Sequence, residues 1–326
     1  MGGNIWKDQS IRLNKNEYFE CCNQVQEFLD STLGIDKKDI FIIEAIKNKD
    51  TFGDMDIVIK NNYNLLDIQN KIQKCNLETF KNGNILSFLN INKFQIDLIF
   101  VDELFFNYAC HYFSWNDLGN LLGRTIKQYG FKHGWNGLYY VQRSGDHVIK
   151  EHLLSVNYLD IINILCLDKY KFFNGFNTYE EMFDWLIASP LFISSIFKYE
   201  NLNHTNRVRD RKRKSYNLFL DYLDSLDDSI KNKEFIKLTE EEKRSFVFSK
   251  FPKLKTEVEK IDEEIKFHNE VKTKFNGKLV MELTNLKSVE LGNFIKYFKS
   301  YYTDEWIYHT SQHEINLVIK HIYKHL

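Results

Sequence analysis

Three aspartates in two hydrophobic segments are the residues of this sequence best suited to chemistry. Asp54 and Asp56 stand two positions apart in the segment GDMDIVIK, so that in a β-strand their side chains share one face. Asp97 stands in the middle of a later apolar segment, FQIDLIFV. Burying a carboxylate in such a segment is costly unless it is paired or binds a cation. The three aspartates are therefore candidates for a shared cation site.

Three carboxylates on adjacent strands repel one another, and divalent cations relieve that repulsion. Two Mg²⁺ ions held by such a triad are the machinery of in-line phosphoryl transfer: one lowers the pKa of an attacking hydroxyl, and the other holds the triphosphate and the leaving group. We therefore expect Asp54, Asp56 and Asp97 to be catalytic metal ligands for two Mg²⁺ ions, with Mn²⁺ as the alternative metal. For GDMD alone, the competing interpretation is an Asp-Gly turn whose carboxylates cap backbone amides.

The elements around the aspartates predict a small mixed sheet with a helix packed on it. An amphipathic helix is expected from Lys15 to about Leu33. Alternation and helical periodicity then predict strands at 39–46, 53–60, 84–91 and 94–101, and helices at 65–75 and 116–130. Glycines cluster between Gly119 and Gly145, which is typical of tight turns or of backbone that approaches a ligand closely.

From about Tyr158 onward the helical period dominates. It includes a helix from Arg207 to Leu226 and another that begins at the capping box formed by Thr239 and Glu242. The predicted fold class is α+β, with a small mixed sheet and helices followed by an all-helical C-terminal region. The predicted domains are 1–155, 156–275 and 276–326.

Composition excludes several classes of protein. With 15% aromatic residues and a net charge of −1, the chain lies far from the disordered regime, and no apolar run is long enough for a membrane helix. The N-terminal residues lack the apolar core of a signal peptide, and the five cysteines show no framework spacing. A reducing, cytoplasmic location without a membrane partner is expected. The richness in Asn, Ile and Lys indicates an AT-rich genome, viral or bacterial.

A basic run, RVRDRKRK, is the second feature with a functional interpretation. Six of its eight residues are cations: Arg207, Arg209, Arg211, Lys212, Arg213 and Lys214. In a chain whose 44 basic and 45 acidic residues nearly cancel, this run is a local positive patch suited to the phosphate backbone of a nucleic acid. The competing interpretation is a solvated helix face.

Two segments resemble a known superfamily. KDTFGDMDIVI (49–59) resembles the metal-binding strand of the DNA polymerase β superfamily of nucleotidyltransferases, and FQIDLI (94–99) resembles the strand that carries its third aspartate. The segment YFSWNDLGNLLGR (112–124) and the later Gly-Phe and Asn-Gly-Leu are similar to the family X polymerase segment. That segment begins Tyr-Phe-Thr-Gly-Ser, passes an Asn and an Arg on a helix and ends in a Gly-Leu turn. The resemblance covers roughly residues 39–140.

The resemblance implies a palm-like nucleotidyltransferase domain in 1–155, with Asp97 nearest the 3′-hydroxyl of the acceptor. Tyr112 and Phe113 would lie against the sugar of the incoming nucleotide, although an aromatic pair at such a place is also typical of a core. The expected nucleotide-binding residues are Lys47, Lys49, Gly53, Tyr112, Phe113, Asn120 and Arg124. Asn120 and Arg124 would face the base or the template minor groove, while the alternative for Arg124 is an ordinary solvated helix residue.

Two departures from the superfamily pattern change what is expected. Glu44-Ala45 stands where the superfamily has Gly-Ser, so anion binding there would have to come from Lys47 and Lys49 rather than from backbone amides. Ser114-Trp115 replaces the Thr-Gly of the family X motif. The special backbone turn beside the sugar is therefore not expected.

The predicted function is Mg²⁺-dependent transfer of a nucleoside monophosphate from an NTP or dNTP to the 3′-hydroxyl of a nucleic acid. Residues 276–323 loosely resemble the helical tail of bacterial CCA-adding enzymes and poly(A) polymerases, which favours template-independent extension of an RNA end. Three alternatives stay open: a family X-like templated DNA polymerase in DNA repair, an enzyme that nucleotidylates a small molecule or protein, and a degenerate nucleic-acid-binding module. The sequence leaves the oligomeric state open.

Overall fold

The computed structural model describes residues 5–6, 9–145, 147–231 and 237–325. The chain forms two compact units, Met1–Lys250 and Phe251–Leu326. The fold is α+β, with small sheets followed by a helical C-terminal region, as the sequence predicts. The three predicted domains stay predictions, although the change from strands to helices does fall between Ser155 and Leu159. Within the described residues, no helix has the length and apolar character needed to cross a bilayer.

The described strands all belong to the first unit. They are β1 Leu13–Asn14, β2 Ile40–Ile42, β3 Thr51–Phe52, β4 Asp54–Lys60, β5 Thr79–Asn82, β6 Ile85–Leu89, β7 Gln95–Val101, β8 Phe131–Gly134, β9 Gly137–Ser144 and β10 His147–Ser155. Five of them form the central sheet, in the order β2-β4-β7-β6-β5. Strands β8 to β10 form a separate antiparallel sheet, and β1 pairs with β3.

The helices of the first unit occur between and after these strands. They are α1 Lys15–Glu27, α2 Leu65–Lys74, α3 Glu103–Phe113, α4 Leu118–Lys127, α5 Leu159–Ile164, α6 Lys169–Asn174, α7 Tyr179–Ile187, α8 His204–Asp210, α9 Lys214–Asp224, α10 Asp228–Lys231 and α11 Glu240–Lys250. A capping box between Asn14 and Glu17 begins α1. The predicted capping box of Thr239 and Glu242 is present before α11.

The pairing of β4 with β7 positions the aspartates. These two strands are parallel, whereas the other pairs of the central sheet are antiparallel. Every residue of β7 is buried, and β4 alternates between buried and partly exposed residues at its N-terminal end. One core cluster joins α1 and α2 to the sheet through Val25, Leu29, Ile68, Ile57 and Leu98. The interior of the sheet is therefore apolar except at the aspartates and at Gln95 and Ser87.

The second unit is helical throughout its described residues. Its helices are α12 Leu254–Lys274, α13 Gly277–Thr284, α14 Ser288–Tyr301, α15 Asp304–His309 and α16 Gln312–His325. The Asn276 side chain accepts a hydrogen bond from the Leu279 amide and so caps α13. Phe275 stacks on Phe298 with 4.3 Å between ring centroids, in a core that draws on all five helices.

Several elements differ from the prediction. The first predicted strand is shorter, because the chain bonds to residues outside the sheet after Ile43, whose amide still donates to the Asp56 carbonyl. Helix α3, strand β5 and the separate β8-β9-β10 sheet were not predicted. The predicted helix from Arg207 to Leu226 was wrong: it is interrupted at 211–213, where the chain turns and separates α8 from α9.

Candidate functional site

The register of β4 against β7 brings the three predicted aspartates into one neighbourhood. Asp56 lies opposite Asp97, and Asp54 lies opposite Gln95. Asp54 and Asp56 are partly exposed, and the residue between them, Met55, is fully buried on the other face of the strand. The period-two prediction for Asp54 and Asp56 is therefore confirmed.

Asp97 lies deeper than the other two aspartates. It is 2% exposed, and both of its carboxylate oxygens accept hydrogen bonds from Gln95 Nε2 at 3.0 Å. The side chain of Ser87, opposite Asp97 on β6, also bonds to it. Burial raises the pKa of Asp97, and these two hydrogen bonds oppose the rise. Asp97 is thus a buried carboxylate that neutral donors stabilise.

Asp56 has the strongest perturbation of the three. Burial and, after it, the charges of the nearby carboxylates of Asp54 and Asp97 raise its pKa from 3.8 to about 6. The Tyr18 hydroxyl lies close enough that Asp56 and Asp54, after burial, add to the rise of its own pKa. The negative charges at this edge of the sheet therefore disfavour one another.

Asp54 and Asp56 open into a cleft of about 540 Å³, which we call the carboxylate cleft. Its floor includes Tyr18 from α1, which stacks on Phe52 with 3.8 Å between ring centroids. Tyr112 and Phe113, at the end of α3, also line it. Asp97 is not among the lining residues. The cleft thus combines Asp54 and Asp56 with aromatic side chains, and the carboxylates of Glu44 and Asp117 line it as well.

Cationic side chains also line the carboxylate cleft. Of the six predicted nucleic-acid-binding residues, the cleft is lined by Arg209, Arg213 and Lys214. Arg213 pairs with Asp117, which also accepts a hydrogen bond from Ser215 Oγ at 2.8 Å. Arg213 and Arg209 both oppose the rise that burial causes in the pKa of Tyr112. The positive charges therefore reach the same space as the carboxylates.

The other three residues of the basic run lie outside the lining of this cleft. Arg207 donates from Nη2 to the carbonyl of Leu202 at 3.0 Å, and Arg211 lies over the ring of Tyr199. Lys212 is exposed in the turn between α8 and α9. The run is consequently divided between a part that faces the cleft and a part that faces elsewhere.

The loop that contains Lys47 and Asn48 is bound to other parts of the first unit. The amides of Lys47 and Asn48 donate to the carbonyls of Phe176 and Asn177, both at 2.9 Å. Lys47 Nζ donates to the carbonyl of Asn174 at 2.6 Å. These amides and the Lys47 ammonium are therefore engaged within the protein.

Lys49 and Gly53 lie beside the carboxylates. Lys49 Nζ lies over the ring of Phe52, 4.6 Å from its centroid, and Lys49 lines the cleft. Burial lowers the pKa of Lys49, and the charge of Asp54 opposes that effect. A Cβ at Gly53 would lie 2.7 Å from Arg12 Nη1, so this glycine allows the close approach of a further cation. Of the two predicted loop lysines, Lys49 is the one in the cleft.

The turn after Phe113 is unusual despite the absence of the family Thr-Gly. Trp115 and Asn116 both have φ of +60°, a left-handed conformation that is uncommon for residues other than glycine. Trp115 is buried and packs so closely on Gly175 that a Cβ there would lie 2.3 Å from its ring. The expectation that this segment lacks a special turn was therefore wrong, because tertiary packing of Trp115 imposes one.

Asn120 and Arg124, both on α4, contact residues of the basic run. Asn120 Oδ1 accepts a hydrogen bond from Arg209 Nη2 at 2.9 Å. Arg124 pairs with Asp210, and its guanidinium lies 5.1 Å from the centroid of the Tyr216 ring. The Arg124 side chain is 10% exposed, so the alternative of an ordinary solvated residue was wrong. Asn120 lines the carboxylate cleft, and Arg124 lines a neighbouring cavity.

Sequence reasoning missed the two acidic residues that form ion pairs with the arginines of the basic run. Asp210 is fully buried and contacts Arg124, Arg209 and Arg213. Asp117 pairs with Arg213 across 96 residues of sequence. A signal for Asp210 was present, because it is the one acidic residue within RVRDRKRK. Nothing in the local sequence distinguishes Asp117 as its counterpart.

Asp54 and Asp56 suit Mg²⁺ better than a metal ion that needs a full set of protein ligands. In the part of the chain that the structure describes, no group of three or more His, Cys, Asp or Glu side chains is arranged to hold a metal. Mg²⁺ usually binds one or two carboxylates and completes its shell with water and substrate phosphates. Asp54 and Asp56 suit that pattern, and the role of Asp97 as a ligand stays a prediction.

The comparisons with known proteins add no assignment to this geometry. No protein-family model matches the chain, and no curated protein matches it.

Proposed function

We propose that the protein is an Mg²⁺-dependent nucleotidyltransferase that transfers a nucleoside monophosphate from an NTP or dNTP to the 3′-hydroxyl of a nucleic acid. One observation carries the proposal: Asp54 and Asp56 line the same cleft as Arg209, Arg213 and Lys214. A metal-bound triphosphate presents both charges that such a cleft complements. Phosphoryl transfer depends mainly on positioning and charge neutralisation, which these side chains supply.

Each side chain has a distinct part in this proposal. Asp54 and Asp56 would hold Mg²⁺, which when bound neutralises phosphate charge and lowers the pKa of an attacking hydroxyl. Lys49, Arg213 and Lys214 would orient the phosphates by charge-assisted hydrogen bonds. Tyr112 and Phe113 would give the sugar and base an apolar wall. The buried carboxylate of Asp97, directly across from Asp56, would hold the negative potential at this edge of the sheet.

Within this class we favour extension of a single-stranded 3′ end over templated gap filling. The support is the resemblance of residues 276–323 to the helical tail of CCA-adding enzymes and poly(A) polymerases. In agreement with that pattern, Asn276 caps the first of the four helices that follow it.

The test is an extension assay with purified full-length protein. Labelled single-stranded RNA, single-stranded DNA and gapped duplex are each incubated with Mg²⁺ and one nucleotide at a time. We expect extension of a single-stranded substrate, and a loss of at least about 100-fold in Asp56→Asn, because metal binding contributes several kcal/mol to such reactions. Asp221→Asn, an exposed aspartate on α9, is the matched control.

Other outcomes assign the alternatives. Template-dependent extension of gapped duplex alone would favour the repair-polymerase alternative. Labelling of a small molecule or of a protein, without any extension, would favour nucleotidylation of those substrates. If no substrate reacts and Asp56→Asn behaves like the wild type in every assay, the enzyme proposal is refuted.

A non-catalytic nucleic-acid-binding module is the second candidate, and a specific observation favours it. Asp97 is turned to Gln95 and Ser87, and the loop at Lys47 uses its amides and ammonium within the protein. A degenerate site would bind nucleotides without transferring them. This candidate would be supported if the wild type extends no substrate and binds nucleic acid equally well with and without Mg²⁺.

A further inference from the structure

A second cavity of about 570 Å³ adjoins the carboxylate cleft along helix α4, and we call it the α4 cavity. The two share Tyr112, Asn120 and Arg209 as lining residues. Gly119 and Gly123 of α4 are also among its lining residues. The volume lies within the range of about 300–1,000 Å³ that small-molecule sites occupy.

Unsatisfied polar atoms are concentrated in this cavity. Among the described residues, four of its lining side chains each have a buried polar atom without a hydrogen-bond partner: Asn120 Nδ2, Arg124 Nε, Gln128 Oε1 and His133 Nε2. Gln128 is only 8% exposed, and its Nε2 makes a long contact of 3.5 Å with the carbonyl of Leu191. Buried polar groups in native proteins are rarely left unpaired, so such a concentration indicates a missing ligand.

The deep part of the cavity is polar but largely uncharged. His133 Nδ1 is paired with the Tyr108 hydroxyl at 2.8 Å, which leaves Nε2 as the free ring nitrogen. Burial lowers the pKa of His133 to about 3, so the ring is neutral near pH 7. The guanidinium of Arg124 is compensated by Asp210. A ligand group bound in the deep part of the cavity would therefore contact hydrogen-bonding groups with little net charge.

The outer part of the cavity carries cations. Lys127 and Lys237 are exposed lining residues, and Lys243 also lines the cavity while it pairs with Glu240 at 2.6 Å. Apolar surface comes from Ile196 and Leu202. The cavity therefore combines an uncharged polar interior, an apolar side and a positive rim.

We propose that the α4 cavity binds one nucleotide unit, with its base inserted towards Gln128 and His133 and its phosphate at Lys127 and Lys243. Amide and imidazole groups are suited to the edges of bases, while lysines suit phosphates. A free phosphate alone would leave the deep polar atoms unsatisfied, and a lipid chain would leave them in apolar contact. The connection with the carboxylate cleft rests on the proposed function, in which an acceptor strand ends beside Asp56.

The experiment measures equilibrium binding by full-length protein in EDTA, so that catalysis and metal binding do not contribute. The probes are labelled eight-nucleotide single-stranded RNA and DNA, the four nucleoside monophosphates, and inorganic phosphate. The variants are Gln128→Leu and the double variant Lys127→Gln/Lys243→Gln. The control is Lys81→Gln, at an exposed lysine on β5 that lines neither the α4 cavity nor the carboxylate cleft.

We expect Gln128→Leu to weaken nucleotide binding by about tenfold, the effect of one lost hydrogen bond in a buried site, without changing the binding of inorganic phosphate. The double lysine variant should weaken binding and reduce its dependence on salt, and Lys81→Gln should do neither. A response of the oligonucleotides alone identifies the unit as part of a strand, and a response of the monophosphates identifies a free nucleotide.

The proposal is overturned if Gln128→Leu binds every nucleotide probe like the wild type, or if Lys81→Gln weakens binding as much as the double variant. Because the lysines lie at the rim, the double variant stays informative even if Gln128→Leu does not fold. Asp221→Asn, at a residue that lines neither the α4 cavity nor the carboxylate cleft, should bind as the wild type does in EDTA. Binding that depends on Gln128 in a protein without extension activity would retain this site and reject the proposed function.

Discussion

Asp56 and Asp210 are aspartates of the same unit with opposite electrostatic surroundings. Asp56 lies near two other carboxylates, and burial together with their charge raises its pKa to about 6. Asp210 is more deeply buried, yet it contacts three arginines, Arg124, Arg209 and Arg213. The neighbouring carboxylates repel the negative charge of Asp56, whereas the neighbouring arginines attract the negative charge of Asp210.

The raised pKa of Asp56 and the ion pairs of Asp210 indicate different roles. Groups with a perturbed pKa, such as Asp56, concentrate at functional sites, and a bound cation would favour the ionised carboxylate. A charge that the fold compensates positions its own neighbours. Asp210 and Asp117 hold the basic segment against α4, and that attachment brings Arg209 and Arg213 to the cleft.

The largest expected effect is destabilisation by Asp210→Asn. The change leaves Arg124, whose side chain is 10% exposed, without its carboxylate partner. Removing one member of a buried ion pair typically lowers the free energy of unfolding by about 3–5 kcal/mol. Urea denaturation followed by circular dichroism measures this change. Asp221→Asn on the exposed face of α9 should alter stability by less than about 0.5 kcal/mol, and equal losses in the two variants would contradict the structural role of Asp210.

The same substitution at Asp56 should have the opposite sign in EDTA. Because folding raises the pKa of Asp56 from 3.8 to about 6, the native protein keeps a proton that the unfolded chain releases between about pH 4 and 6. The contribution of Asp56 to the free energy of unfolding therefore falls as pH rises through that interval and stays level above it. At pH 7.5, Asp56→Asn should be more stable than the wild type by up to about 3 kcal/mol.

Denaturation midpoints at pH 4 and pH 7.5 measure this effect, with and without Mg²⁺. Mg²⁺ should stabilise the wild type and have little effect on Asp56→Asn, since binding to the native state alone raises the free energy of unfolding. Destabilisation by Asp56→Asn at pH 7.5 in EDTA would show that folding does not raise the pKa of Asp56, and the contrast with Asp210 would then be lost.

The smallest expected effect compares two lysines of the basic run. Lys214 lines the carboxylate cleft and Lys212 does not, although both are exposed. Lys214→Gln should weaken binding of an NTP with Mg²⁺ by roughly threefold, as expected for a partly solvated charge, and lower the salt slope by about 1. Titration calorimetry with Lys212→Gln as the control measures this difference. Equal losses would mean that the whole run acts as a diffuse positive patch.

Local periodicity was sufficient for the elements that carry the aspartates. The strands predicted at 53–60 and 94–101 agree with Asp54–Lys60 and Gln95–Val101, and the α+β class was correct. The predicted helix at 207–226 was wrong, because the run of helix-forming residues gives no local reason for a turn at 211–213. That turn exists where Asp210 meets Arg124 and Arg213 meets Asp117, partners 86 and 96 residues away.

The sequence by itself determined that Asp54 and Asp56 share a face, since alternation along a strand is a property of the backbone. It also determined that the second half of the chain is helical, because the apolar period is local. Only the tertiary structure decided that Asp56 lies opposite Asp97, that Lys49 rather than Lys47 reaches the cleft, and that half of the basic run faces it. Strand register and ion pairs join residues that no local period relates, so packing alone selects among the arrangements that the sequence permits.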